Sequence, residues 1–241
     1  GQKYDVVITN PPYMGASGMS AKLSEFVKRY FPDSKSDLST VFMQKCSAMC
    51  KAFGIYSMIN IPVWLTLKSY ANLRERLISN ETIAQLIHFG RGVFGSDFGT
   101  TAFVVRKNRI PSFIGTYKKL YKKQGAVSSL EEKEQLFLRG EGVYYVPQES
   151  FHSIDGTPIA YSLNNNLLKH FKYGKKVADF GTTRLGMTTA DNNKFTRLWF
   201  EVDETRFCPN ASSSDEVIKG SYKWVPYNKG GAFRKWYGNN D

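Results

Sequence analysis

Four consecutive residues, Asn10-Pro11-Pro12-Tyr13, combine types and spacing that could do chemistry, and they follow the short apolar run Tyr4–Thr9 directly. An amine attached to an aromatic ring, such as N6 of adenine, is a poor nucleophile because its lone pair is delocalised into the ring. To accept a methyl group it must move toward a tetrahedral nitrogen. The Asn10 side-chain oxygen and the Pro11 carbonyl are two acceptors for the two amine hydrogens, and together they aim the lone pair at a donor. Pro11 pushes Asn10 out of the helical region and Pro12 does the same to Pro11, while neither proline offers a competing N–H. Tyr13 adds a face on which a flipped base can stack, worth about 1–3 kcal/mol. The competing reading is plain turn chemistry, for which Asn-Pro-Pro is also well suited.

The elements around this tetrapeptide decide whether it sits where ligands bind. Tyr4–Thr9 reads as a strand and residues 14–37, rich in Gly, Ser and Lys, as a long mobile loop. Apolar spacing predicts a helix over Ser39–Phe53, with Ser39 as N-cap and Gly54 as its stop. Ile55–Ile61 is the next strand, closed by Pro62, and Leu67–Ile78 a second helix. Thr82–Phe89 and Thr100–Arg106 read as strands joined by a glycine-rich turn, so they pair antiparallel. Strand–helix–strand–helix–strand otherwise implies a parallel sheet with covering helices. The fold class is therefore α/β, with a mixed sheet ending in an antiparallel hairpin. That topology puts Asn10–Tyr13 outside the carboxyl end of a strand, the usual ligand position in such sheets. From Pro111 the pattern weakens. Lys118, Lys119, Lys122 and Lys123, with Tyr117 and Tyr121, make a basic helix-like stretch, either a phosphate track or a solvated face. Short strands are expected over 180–241.

Lys and Arg outnumber Asp and Glu by 33 to 21, a formal charge of +12 with a pI near 9.5. That favours a polyanionic partner, nucleic acid before membrane surface. The excess is concentrated in 1–110 and nearly vanishes in 179–241. No run of 18 apolar residues exists to span a bilayer, and residues 1–20 lack the pattern of a signal peptide. Three cysteines without paired spacing fit a reducing, cytoplasmic setting. Cys46 and Cys50 read as core thiols, and three scattered histidines argue against a zinc site. Gly90-Arg91-Gly92-Val93-Phe94-Gly95 matches G-x-G-x-x-G, but a strand follows it where the dinucleotide fingerprint needs a helix. Glu131-Glu132-Lys133 resembles half of a nuclease motif and reads as a solvated helix face. Near the end, Lys229, Arg234 and Lys235 surround Gly230-Gly231 and Trp236-Tyr237. Glycines let backbone N–H groups approach phosphates, and arginine can read base edges. Arg184, Thr189 and Asn192 join them as candidate DNA contacts. Core packing competes for Trp224 and Trp236.

The tetrapeptide resembles motif IV of the amino-methyltransferases that use S-adenosylmethionine. Residues 37–65 (DLSTVFMQKCSAMCKAFGIYSMINIPVWL) are similar to the helix–strand unit that follows NPPY in large adenine methyltransferases. Residues 82–107 (TIAQLIHFGRGVFGSDFGTTAFVVRK) are similar to their closing strand–hairpin. GTTRLGMTTADNNKFTRLWFEV (181–202) and KWVPYNKGGAFRKWYGN (223–239) resemble the start of a fused target-recognition region. Such regions occur in BREX-type phage-defence methyltransferases and in fused restriction–modification enzymes. The resemblance implies three parts: 1–110, the C-terminal half of a Rossmann-like catalytic domain; 111–178, a connecting segment; and 179–241, the beginning of an α+β target-recognition domain. It also implies that the hairpin turn lies beside the flipped base, with Phe94 packing against the base edge.

In that family the glycine-rich cofactor loop precedes NPPY, and here NPPY begins at residue 10. The expectation is a fragment of a site-specific adenine-N6 DNA methyltransferase that acts on double-stranded DNA, uses S-adenosylmethionine in the parent protein and needs no metal. The isolated chain is expected to be inactive and to bind S-adenosylmethionine weakly or not at all. Either an edge-strand dimer through Tyr4–Thr9 or poor order over 1–36 should follow. Two rivals remain: a methyltransferase for another planar amine, such as an RNA base or a protein glutamine, and a DNA-recognition module without catalysis. N4 of cytosine is a further target compatible with NPPY. The terminal basic cluster carries its own prediction, read by titrating DNA binding against salt. Lys229→Ala should lower the salt slope by about one, and Arg234→Ala should relax sequence preference. Unchanged binding by both variants would assign the cluster to packing.

Overall fold

β1 (Tyr4–Thr9) is the first element of a computed structural model that describes residues 1–95, 98–123, 125–182 and 188–227. The chain divides into two units, Gly1–Lys175 and Lys176–Asp241.

In the first unit, β1 is followed by α1 (Ala21–Tyr30), α2 (Leu38–Met49), β2 (Cys50–Asn60) and α3 (Ala71–Asn80). Then come β3 (Thr82–Gly90), β4 (Thr100–Arg106), β5 (Ile114–Lys119), α4 (Leu130–Leu138), β6 (Val143–Pro147) and α5 (Asn165–Tyr173). The strands form one mixed sheet in the order β1-β2-β4-β3-β5-β6. β1 and β2 are parallel, and β4 runs antiparallel to both β2 and β3, so β3 points the same way as β2. The expected hairpin is present as β3–β4.

Residues 14–37 are not the loop that their Gly and Ser content suggested. α1 is capped by Ser20, whose side chain accepts from the Leu23 N–H, and Val27 is buried at its centre. Leu23, Phe26, Val27 and Tyr30 fall on one helical face, a spacing that the polar residues between them obscured. α2 is capped by Asp37 and not Ser39, because the Asp37 carboxylate accepts from both the N–H and the hydroxyl of Ser39. The helix ends at Met49, earlier than Phe53, because Cys50 already pairs with Tyr4 in the sheet. Residues 51–54 then bulge before pairing resumes at Ile55. Phe53 has φ 66, and a Cβ on Gly54 would lie 3.1 Å from the carbonyl oxygens of Tyr4 and Asp5.

Residues 111–178 contribute β5 and β6 to the sheet. Lys118 and Lys119, expected in a helix, lie in β5, where alternation buries Tyr117 fully. The lysine ammonium groups sit over aromatic rings, Lys118 over Phe137 at 3.8 Å and Lys119 over Tyr121 at 4.8 Å.

One sheet face carries the core. Tyr56 and Met58 of β2, Phe103 and Val105 of β4, Ile83 and Leu86 of β3 and Tyr117 of β5 pack with Met43 of α2 and with Leu73, Leu77 and Ile78 of α3. On the other face Val6, Ile8, Ile114 and Tyr145 are exposed. β1 pairs with β2 alone among the described strands and forms a sheet edge. In the second unit the described residues form short helices, including α6 (Asn192–Phe195) and α7 (Ser214–Lys219). Among the described residues, the short strands expected there are reduced to one parallel bridge, Phe207 with Trp224.

Two buried polar side chains lock the core to its loops. Gln148 donates to the carbonyls of Ile78 and Glu81 and accepts from the Ile83 N–H at 2.8 Å, tying the end of β6 to the α3–β3 corner. Arg74, 1% exposed, is paired with no carboxylate among the described residues. Its guanidinium donates to the carbonyls of Trp64, Leu67, Gly156 and Thr157. Arg74→Met should therefore leave several buried carbonyls without donors and cost at least ~3 kcal/mol, read as a lower midpoint in chemical denaturation. A midpoint within experimental error of the wild type would show that the guanidinium is dispensable.

Candidate active site

The strand directions bring the ends of β1, β2 and β3 to one end of the sheet, and β4 starts there. Thr9 pairs with Met58, Asn60 with Thr101 and Gly90 with Thr100. Three connections therefore meet: residues 10–13 after β1, 61–65 after β2 and 91–99 between β3 and β4.

Asn10 is exposed, Pro11 buried, Pro12 exposed and Tyr13 half-buried. The Tyr13 hydroxyl donates to the Asn10 Oδ1 at 3.2 Å, so the tetrapeptide folds back on itself. Burial, with a smaller contribution from the Asp37 carboxylate, holds the Tyr13 hydroxyl above its ordinary pKa, in its neutral donor form. The chain beyond Tyr13 is pinned to the start of α2. The Leu38 N–H donates to the Met14 carbonyl at 2.9 Å, the Ala16 N–H donates to that of Ser36 at 3.0 Å, and Gly15 bridges Asp37.

The Tyr13 ring meets Phe98 edge-on, with ring centroids 5.6 Å apart at 82°. Phe98 is brought there by a close passage of the β3–β4 connection over the β2 end. A Cβ on Gly99 would lie 3.0 Å from the Pro62 ring. Beneath it, the fully buried Asn60 accepts through its Oδ1 from the Trp64 indole N–H at 3.1 Å and from the Thr101 hydroxyl at 2.9 Å. These bonds fix the start of the 61–65 turn and the start of β4 to one another.

The Gly90–Gly95 run holds a short 3-10 turn over Val93–Gly95, and β4 begins at Thr100. Gly90 and Gly92 have φ 72 and 90, and a Cβ at Gly90 would lie 2.7 Å from the Tyr121 ring. Phe94 stands on this connection with φ 59 and is 64% exposed. Among the described residues, the aromatic ring against Tyr13 is that of Phe98, which the sequence alone does not single out. An aromatic directly before the glycine and two threonines that open β4 was the available signal.

His88 supports the connection from below. Its Nδ1 lies 3.0 Å from the Tyr161 hydroxyl and 3.3 Å from that of Tyr121. Burial, with help from Lys119, pushes its pKa down to about 4.

In the second unit, Thr189 donates to the side-chain oxygen of Asn192, and Asn192 opens α6 behind the cap residue Asp191. Asn192 is exposed and Thr189 half-buried. Arg184, Lys229, Gly230, Gly231, Arg234 and Trp236 lie outside the described residues.

Residues 1–94 match the family model of the Eco57I restriction-modification methylase. Over 98% of its length the chain is 40% identical to the adenine-specific methyltransferase PglX of Lacticaseibacillus casei (strain Zhang), of which it covers 20%. It is 36% identical over its whole length to the adenine-specific methyltransferase BrxX of Escherichia coli O9:H4 (strain HS), of which it covers 19%. The chain therefore spans about a fifth of the length of these curated relatives. A type I restriction-modification methyltransferase subunit from Streptococcus thermophilus aligns over 66% of this chain and 38% of its own, with 16% identity and a TM-score of 0.46.

The depressed pKa of His88 generates a pH prediction. The unfolded chain takes up the proton near pH 6.5, whereas the folded protein resists it down to about pH 4. Between those values the unfolded state binds more protons, so stability rises with pH. The contribution should be complete above about pH 6.5 and should be lost as pH falls toward 4. Melting curves of wild type and His88→Gln across that window should converge at low pH, and parallel curves would remove His88 from the account.

Proposed function

Given its relation to the adenine-specific methyltransferases PglX and BrxX, we propose that this chain holds and orients the target base for adenine-N6 methylation of double-stranded DNA. The observation that carries this reading is Asn10 and Tyr13 held together at the carboxyl end of β1, with Phe98 against the tyrosine ring. Asn10 Oδ1 and the Pro11 carbonyl accept the two hydrogens of the amine and turn its lone pair outward. Tyr13 supplies the stacking face, and Phe94, exposed on the β3–β4 connection, packs against the base edge.

S-adenosylmethionine is the methyl donor in this reading; when bound it supplies an electrophilic methyl group. Among the described residues, the next element after the glycine run at 90–95 is the strand β4 and not a helix, which does not fit an adenosyl-binding loop. The residues described here thus fit the base side of the reaction.

Basic residues across the chain, a formal +12, supply attraction to phosphates. Arg184, Thr189, Asn192, Lys229, Gly230, Gly231, Arg234 and Trp236 remain the proposed contacts of a target-recognition segment. The Tyr13 ring beside Asn10, backed by Phe98, favours a flat base over a protein amide. No helix among the described residues is long and apolar enough to cross a membrane. The proposed action on cellular DNA, as part of phage defence, goes with a cytoplasmic protein. The edge of β1, with Val6 and Ile8 exposed, is where a second copy would pair.

Expressing the full-length protein in a host without adenine methylation and mapping modified bases on its DNA tests this reading. N6-methyladenine at a defined site is expected. Asn10→Ala should lower the methylation rate on the order of 10²–10³, by analogy with loss of one preorganised partner of a developing charge, with DNA affinity nearly unchanged. Equal methylation by both proteins would sink the assignment of Asn10, and modified protein or RNA in place of DNA would favour the rival substrates.

A further inference from the structure

We infer that Phe98 is a positioning residue for the target base, acting through Tyr13, an inference that rests on the base-holding role proposed above. A stacking wall works only if its plane is fixed before the base arrives. Tyr13 hangs from a Pro-Pro segment at a sheet edge, and among the described residues two contacts bear on its orientation. The hydroxyl donates to Asn10 Oδ1 at 3.2 Å. The ring meets Phe98 at 5.6 Å and 82°, an edge-to-face geometry. The first contact uses the acceptor that an incoming amine needs, so it is given up when the base binds. The second uses the aromatic system alone and persists. Phe98 is then what keeps the Tyr13 ring in plane while the amine takes over Asn10.

The placement of Phe98 is built, not incidental. Gly99 lets the backbone pass so close to Pro62 that any side chain there would press on the proline ring. Thr101, two residues further on, is bonded to Asn60. Phe98 is 45% exposed, so a core-filling role does not account for it. Phe94 is more exposed still, and its position on the connection suits direct contact with a base edge. The two phenylalanines thus divide the work.

The test is a double-mutant cycle in the full-length protein, on duplex DNA carrying its mapped site. Losing one edge-to-face partner should raise KM for DNA about three- to tenfold in Phe98→Ala, with kcat changed less. Phe98→Tyr, which keeps the ring edge, should restore the wild-type KM. In a Tyr13→Ala background, Phe98→Ala should add nothing, because the residue it positions is gone. A duplex with 2-aminopurine at the target position gives a readout independent of methyl transfer. Its fluorescence on binding should show a less quenched base in Phe98→Ala and wild-type quenching in Phe98→Tyr. Additive losses in the cycle, or wild-type KM and quenching in Phe98→Ala, would overturn this inference alone. A wild-type protein that methylates no base would overturn the methyltransferase reading and this inference with it.

Discussion

Insertion of β4 between β2 and β3 is the constraint from which the site follows. Because β4 is antiparallel to both neighbours, β2 and β3 point the same way without touching, and β1 joins them through a parallel pairing with β2. The carboxyl ends of β1, β2 and β3 then face a single region of space. The connection that leaves β3 must double back over that region to start β4. A site needing acceptors from one loop and aromatic surfaces from another is satisfied by this topology alone. A one-residue slip of β4 would move Phe103 and Val105 out of the core and Thr101 away from Asn60.

The loops that meet there carry backbone carbonyls into the protein interior, and buried carbonyls need donors. Arg74 meets that need with one side chain. It reaches the turn after β2 and the 156–157 segment together, and burial lowers its pKa without threatening its charge. Gln148 does the same at the α3–β3 corner. At the site itself Asn60 works the other way, as an acceptor from the Trp64 indole N–H and the Thr101 hydroxyl. Apolar packing fills the middle of the molecule, while these polar side chains set where the loops begin. The precision of the site depends on the latter, since apolar contacts are non-directional and hydrogen bonds are not.

How much of this was legible in the sequence depended on whether the signal was local. β1, β3 and β4 are alternating or apolar runs bounded by strong punctuation, and their bounds were readable almost to the residue. The catalytic candidates Asn10–Tyr13 were readable because two prolines and an asparagine after a strand restrict the backbone by themselves. α1 was lost because its apolar residues are diluted by Lys, Ser and Glu. The true cap of α2, Asp37, was missed in favour of Ser39 because only the fold shows that the carboxylate serves both Ser39 donors. β5 was misread because Lys118-Lys119 suggests a solvated helix, and the parallel pairing with β3 that overrides it is a tertiary fact. Phe98 was passed over for the same reason. Phe94 and Phe98 are alike in composition and neighbourhood, and only the close passage over Pro62 brings one of them to Tyr13.

The hydrogen bond from Tyr13 to Asn10 bears on how such a site binds an amine without a penalty. A bare acceptor at a sheet end would be solvated, and water would have to leave before a base could enter. Here the acceptor is held by a neutral hydroxyl that is itself half-exposed. A bond of this kind contributes about 0.5–1.5 kcal/mol net, so exchanging it for a bond from an entering amine is close to balanced. The released hydroxyl can return to solvent, since Tyr13 is only half-buried. Meanwhile the bond holds the Asn10 side-chain oxygen toward Tyr13, where the proposal places the amine. On the proposed reading, the free site carries its acceptor already oriented, and the tyrosine that orients it would also be the surface on which the base rests.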